Sequence, residues 1–139
     1  MKILFIADMY SWHTSLWLKY FSENHEVFLL SDERTYAKSQ NYKNIKIIKH
    51  YGYLGKFINL FSISSNFFRH LNKFLSTKIY VKLANKIIQN EKIDIVHAHS
   101  LYYGYIASKI DNKKIKIIFS PLGSDVMVDA FKKKFIIFC

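Results

Sequence analysis

A chain of 139 residues, half of them hydrophobic and 17% aromatic, is long enough for one domain with a real core and too short for two, and it is no disordered polypeptide. Its single cysteine, Cys139, excludes an intrachain disulfide framework or a cysteine-based metal site and suits a reducing cytosol. The net charge of +11 rests almost wholly on Lys, whereas readers of nucleic acid favour the bidentate guanidinium of Arg, so no nucleic-acid partner is expected. An anionic membrane surface needs only point charges, and Lys serves there.

The first strand is expected over Lys2 to Ala7. With one Lys and an apolar run ending at Asp8, this start is too short for a signal peptide. Asp8 to His13 forms a polar and aromatic loop, and Thr14 or Ser15 caps a helix to about Glu23 with Leu16, Trp17, Tyr20 and Phe21 on its apolar face. A second strand follows over His25 to Ser31, then a polar segment from Asp32 to Lys43 and a short third strand, Ile45 to Lys49.

Two helices fill the middle. Phe57, Leu60, Phe61, Phe67, Phe68, Leu71 and Phe74 share one stripe of the first. After Ser76 and Thr77 the second turns Tyr80, Leu83, Ala84, Ile87 and Ile88 inward and Lys78, Lys82, Lys86 and Gln89 outward. The Phe and Lys content allows two readings, a core face with solvated lysines or a basic face lying on a membrane. No uncharged stretch reaches membrane-spanning length, which makes the chain cytosolic or peripheral.

Ile93, Asp94, Ile95 and Val96 then read as the body of a buried parallel strand that ends on His97, His99 and Ser100. Alternation puts both histidines on one face at the strand's carboxyl end. Polar titratable groups there are costly unless they meet water, a partner or a ligand. A helix over about Tyr102 to Ile110, a strand from Ile115 to Ser120 and the turn Pro121 to Asp125 complete the pattern. Strands alternating with helices imply a Rossmann-like, doubly wound, mainly parallel five-stranded sheet with helices on both faces. That domain is expected over residues 1–131. Residues 132–139, three lysines and an apolar scrap, look like a truncation.

Three pieces of the chain carry a family resemblance. Met1 to Ala7, with Ser11, Trp12, His13, Thr14 and Trp17, resembles the opening of a subgroup with a Ser-x-His-x-x-x-Trp pattern. Ile93 to Tyr105 is similar to an Asp-Val-Val-His-x-His stretch ending in Gly, and Ile117 to Asp125 to the next strand and its Gly-Ser/Thr-Asp turn. Together they resemble the amino-terminal, acceptor-side domain of family 4 glycosyltransferases, retaining enzymes of GT-B fold. Two departures stand out: Asp8 to His13 has no glycine pair, and Leu122 takes the place of the turn histidine, which shifts imidazole roles to His13, His97 and His99.

The resemblance implies a nucleotide-sugar co-substrate held by a second domain, which this chain lacks, and no other cofactor. It implies a sugar or lipid-linked acceptor and work in cell-surface polysaccharide or glycolipid assembly, on the cytoplasmic face of the inner membrane. His99, His13 and Asp125 would orient the acceptor hydroxyl, and His97, Ser100, Gly123, Ser124 and Asp8 would bind substrate. Each has a plain alternative: His99 a hydrogen-bonded strand-end residue, His97 structural, His13 a helix start, Asp125 a cap, Gly123 a permissive turn, Asp8 a strand end. Two histidines without a third ligand at motif spacing predict no metal. Two other classes remain open: a non-enzymatic acceptor-binding subunit whose donor domain lies on another chain, and a remnant without activity.

Overall fold

Short runs of Ile, Leu, Val and Phe, each followed by a polar residue and a helix-forming stretch, build one twisted sheet. The computed structural model describes residues 1–32, 44–50, 66–111 and 115–122; the side chains of 66–70 and 72 lie outside that set. Among these residues the elements are β1 (Lys2–Ile6), α1 (Trp12–Ser22), β2 (Glu26–Asp32), β3 (Ile45–His50), α2 (Asn66–Glu91), β4 (Ile95–His99), α3 (Leu101–Ser108) and β5 (Lys116–Ser120). All five strands pair in parallel in the order β3-β2-β1-β4-β5. The Rossmann-like α/β architecture is therefore the one expected.

Both faces of the central strands are covered, as a parallel sheet requires. On one face Leu4, Ile6, Phe28, Leu30, Val96 and Ala98 pack under Tyr80, Ala84 and Ile88 of α2 and Tyr103, Ile106 and Ala107 of α3. On the other, Ile3, Phe5, Val27 and Leu29 pack under Leu18 of α1. A side chain such as Phe5 or Leu18, wholly buried, contributes about 1.5–3 kcal/mol by leaving water. Because β1 leads to α1 on one face and β4 to α3 on the other, the strand order reverses between β1 and β4. In an open parallel sheet such a switch point, beyond the strands' carboxyl ends, is where a crevice forms.

Several boundaries and faces differ from expectation. Ser11, not Thr14 or Ser15, is the N-cap of α1, so Trp12 and His13 belong to its first turn. Its buried residues are Thr14 and Leu18, while Leu16, Trp17 and Tyr20 are exposed, Tyr20 to 70%. The run of four large apolar residues spans more than the narrow stripe that one turn can press on a sheet.

The break expected at Ser76 and Thr77 is absent, and α2 runs unbroken from Asn66 to Glu91. Ser76 is buried, and the Thr77 hydroxyl donates to the Lys73 carbonyl at 3.0 Å, so neither competes with the helix. Phe74, expected inward, is 67% exposed. Tyr80, Ala84 and Ile88 are buried, Leu83 and Ile87 half-buried, and Lys78, Lys82, Lys86 and Gln89 exposed, as predicted. The polar segment to Lys43, Phe57 to Phe61 and residues 132–139 lie outside the described residues. Among the described residues no helix is long and apolar enough to cross a membrane.

Candidate functional site

The crevice is built from the loop after β1, the end of β4 and the first turn of α1. Ser31, at the end of β2, anchors that loop: the Met9 N–H donates to its Oγ at 2.9 Å. Asp8 shapes the turn, its Oδ1 accepting from the Tyr10 N–H at 3.0 Å and its carbonyl from the Ser11 N–H at 3.1 Å. Asp8 thus folds the loop with one carboxylate oxygen and remains half-buried at its edge.

His97 and His99 share the α1 face of β4, their ring centroids 4.6 Å apart. Phe5 lies 5.0 Å from the first ring and 5.5 Å from the second. Trp17 meets both edge-on, at 5.0 and 5.7 Å. The walls are thus aromatic and poor in compensating dipoles, and burial pushes both imidazoles below their ordinary pKa. For His99 the fall reaches about 4, with burial first, then the neighbouring His97, then His13. Both rings are neutral at physiological pH.

Their hydrogen bonding separates them. His97 Nε2 pairs with the Ser120 hydroxyl at 2.8 Å, tying β4 to β5. His99 Nε2 is buried and has no hydrogen-bond partner among the described residues. A buried polar atom left unmade costs about 1–3 kcal/mol, a cost that a ligand hydroxyl removes. His13 stands at the mouth, its ring 3.7 Å from Trp12 and close enough for its charge to act on His99.

Ser100 closes β4 in a conformation that Ser rarely adopts, φ 71° and ψ 160°. Its N–H donates to the Ser120 carbonyl at 3.2 Å and its carbonyl accepts from the Gly104 N–H at 2.9 Å. It is the N-cap of α3, yet its side chain makes no capping bond. Strain of this kind costs about 1–3 kcal/mol and tends to gather where a chain positions a ligand.

The structure thus brings Asp8, His13, His97, His99 and Ser100 to one end of the sheet. Gly123, Ser124 and Asp125 lie outside the described residues. Among the described residues no three metal-ligating side chains come together. Sequence reasoning missed Ser120, whose register opposite His99 makes it reachable from His97, and the anchoring role of Ser31. A Ser at the carboxyl end of each flanking strand was the available signal.

A five-stranded parallel sheet with helices on both faces and a switch point between β1 and β4 defines a Rossmann-like α/β domain. The sequence profile of the glycosyl transferase 4-like family matches residues 2–138. The chain belongs to that family. No curated protein matches it.

Proposed function

We propose that the chain is the acceptor-binding domain of a retaining, nucleotide-sugar-dependent glycosyltransferase of cell-surface polysaccharide or glycolipid assembly, active together with a donor-binding domain. The observation that carries this reading is the buried Nε2 of His99, without a hydrogen-bond partner among the described residues, at the crevice of a glycosyl transferase 4-like domain. With a pKa of about 4, its ring is neutral when the enzyme works. A neutral imidazole exchanges one hydrogen bond with a sugar hydroxyl and orients it for attack, but offers no cation to a phosphate.

The acceptor hydroxyl is therefore the ligand that suits His99. His13 and Trp12 at the mouth supply a second hydrogen bond and an aromatic face. Charge developing on the leaving phosphate is left to backbone N–H groups, which need no metal. By the family resemblance Gly123, Ser124 and Asp125 complete the site, and the domain works at the cytoplasmic face of the membrane.

Saturation-transfer NMR with a panel of neutral monosaccharides, and separately with UDP-glucose, tests this reading. At least one neutral sugar is expected to bind, to shift the imidazole resonances of His99 and to be lost in His99→Ala. Binding of UDP-glucose alone, or sugar binding that His99→Ala leaves unchanged, would overturn it.

A further inference from the structure

The outward side of α2 has no role in the crevice. Phe74, Lys78, Lys82 and Lys86 follow one another at four-residue spacing and are all exposed, with Leu75 exposed beside them. Residues four apart lie one above another on a helix, so the four form a single row about 18 Å long. Among the described residues none of the three lysines is in an ion pair, and the acidic residue of α2 is its last, Glu91, itself paired with Lys46 at 3.7 Å. The row is thus purely basic, with a Phe and a Leu at its amino-terminal end.

That end has a definite place in the fold. The chain passes from the carboxyl end of β3 through α2 to the amino end of β4. The first turns of α2 therefore stand level with the crevice. Two hydrogen bonds hold the helix in this position, one at Lys73 and one two turns further on at Tyr80. The Tyr80 hydroxyl donates to the His50 carbonyl at 2.7 Å, and the Tyr102 hydroxyl to the Lys73 carbonyl at 2.9 Å. Phe74 and Leu75 follow directly on the second anchor, so they cannot turn inward without breaking it.

We propose that this row docks the domain on an anionic lipid bilayer: Lys78, Lys82 and Lys86 lie along the headgroups, and Phe74 and Leu75 enter the acyl boundary beside the crevice. The charge is complementary, because the chain carries +11 and the row holds no acid to repel the surface. The geometry is that of an interfacial helix, in which cations draw the protein to the membrane and a few large apolar side chains hold it. The docking itself does not rest on the sugar chemistry of His99.

Flotation of the full chain with vesicles of phosphatidylglycerol and phosphatidylcholine in equal parts, against pure phosphatidylcholine, tests this at 0.1 M salt. Binding to the first and not the second is expected. Each lysine near the surface strengthens binding roughly fivefold. The triple variant Lys78→Gln, Lys82→Gln, Lys86→Gln should therefore bind about a hundredfold more weakly.

A second triple variant, Lys19→Gln, Lys109→Gln, Lys116→Gln, removes the same charge away from α2 and should keep most of the binding. Phe74→Ser should lose the part that survives 0.5 M salt while keeping the thermal stability of the wild type. Equal binding to both vesicle types, or equal losses in the two triple variants, would overturn the proposal. Loss of vesicle binding with intact sugar binding, or the reverse, separates this surface from the crevice.

Discussion

Acid should unfold this domain through His99. Its side chain is 2% exposed and titrates at about 4, whereas in an unfolded chain it titrates at about 6.5. Between those values the unfolded state binds a proton that the folded state refuses, so stability falls as the pH falls through 6.5. The full gap corresponds to about 3 kcal/mol, of which about 2 kcal/mol is lost by pH 5 and almost none above pH 7.5. That is a large share of the ~5–15 kcal/mol that holds a typical domain together.

His97, also lowered by burial, adds a loss of the same sign. Urea unfolding of wild type and His99→Gln, followed by tryptophan fluorescence from pH 7.5 to 5, reads the effect, since Trp17 meets both rings. Acidification should cost the wild type about 2 kcal/mol more than the variant, which keeps a polar side chain but has nothing to titrate. Exposed carboxylates contribute equally to both proteins and cancel. Parallel pH curves would refute the reasoning.

Ser100→Gly should stabilise the protein by up to about 1 kcal/mol, because Gly accepts the backbone angles that Ser100 is forced into, whereas Ser100→Val should cost more than about 2 kcal/mol. Urea titration reads both. A Cβ on Gly104 would fall 2.5 Å from the Phe119 ring. Gly104→Ala should therefore lower stability by about 1 kcal/mol despite its better helix propensity, and the loss should vanish in a Phe119→Ala background. Tyr80→Phe removes the hydrogen bond to the His50 carbonyl and should cost about 1 kcal/mol, seen as a fall in Tm of several degrees.

Strand pattern was the legible part of the chain. Runs such as Lys2 to Ile6 and Ile95 to His99 are short, apolar and ended by polar residues, and each strand lies within one or two positions of its expected place. The shared face of His97 and His99 follows from alternation alone. Helix faces were harder to read, because α1 offers six large apolar side chains to a sheet contact that buries Leu18 and takes in only part of Trp17 and Phe21. Ser76 and Thr77 suggested a boundary because hydroxyls cap helices, but the same hydroxyls are satisfied inside one. The division of labour between the histidines was invisible for another reason. It depends on the register of β5 against β4, which sets Ser120 beside them, and register is a property of two strands together.

The central place of β1 has a consequence for synthesis. Its first residue is held to the residue that leads into β4 by the hydrogen bond from the Lys2 N–H to the Asp94 carboxylate, 92 positions along the chain. A ribosome adding 5–20 residues each second takes about 5–20 s to cover that distance. During that interval β1 can pair with β2, and β2 with β3, but the other edge of β1, Ile3 to Ile6, stays open and apolar. The nascent chain therefore carries an unpaired hydrophobic strand edge until β4 emerges, the kind of surface that chaperones recognise and neighbouring chains stick to. High-level expression should load the soluble fraction with chaperone, and slower translation at lower temperature should raise the yield.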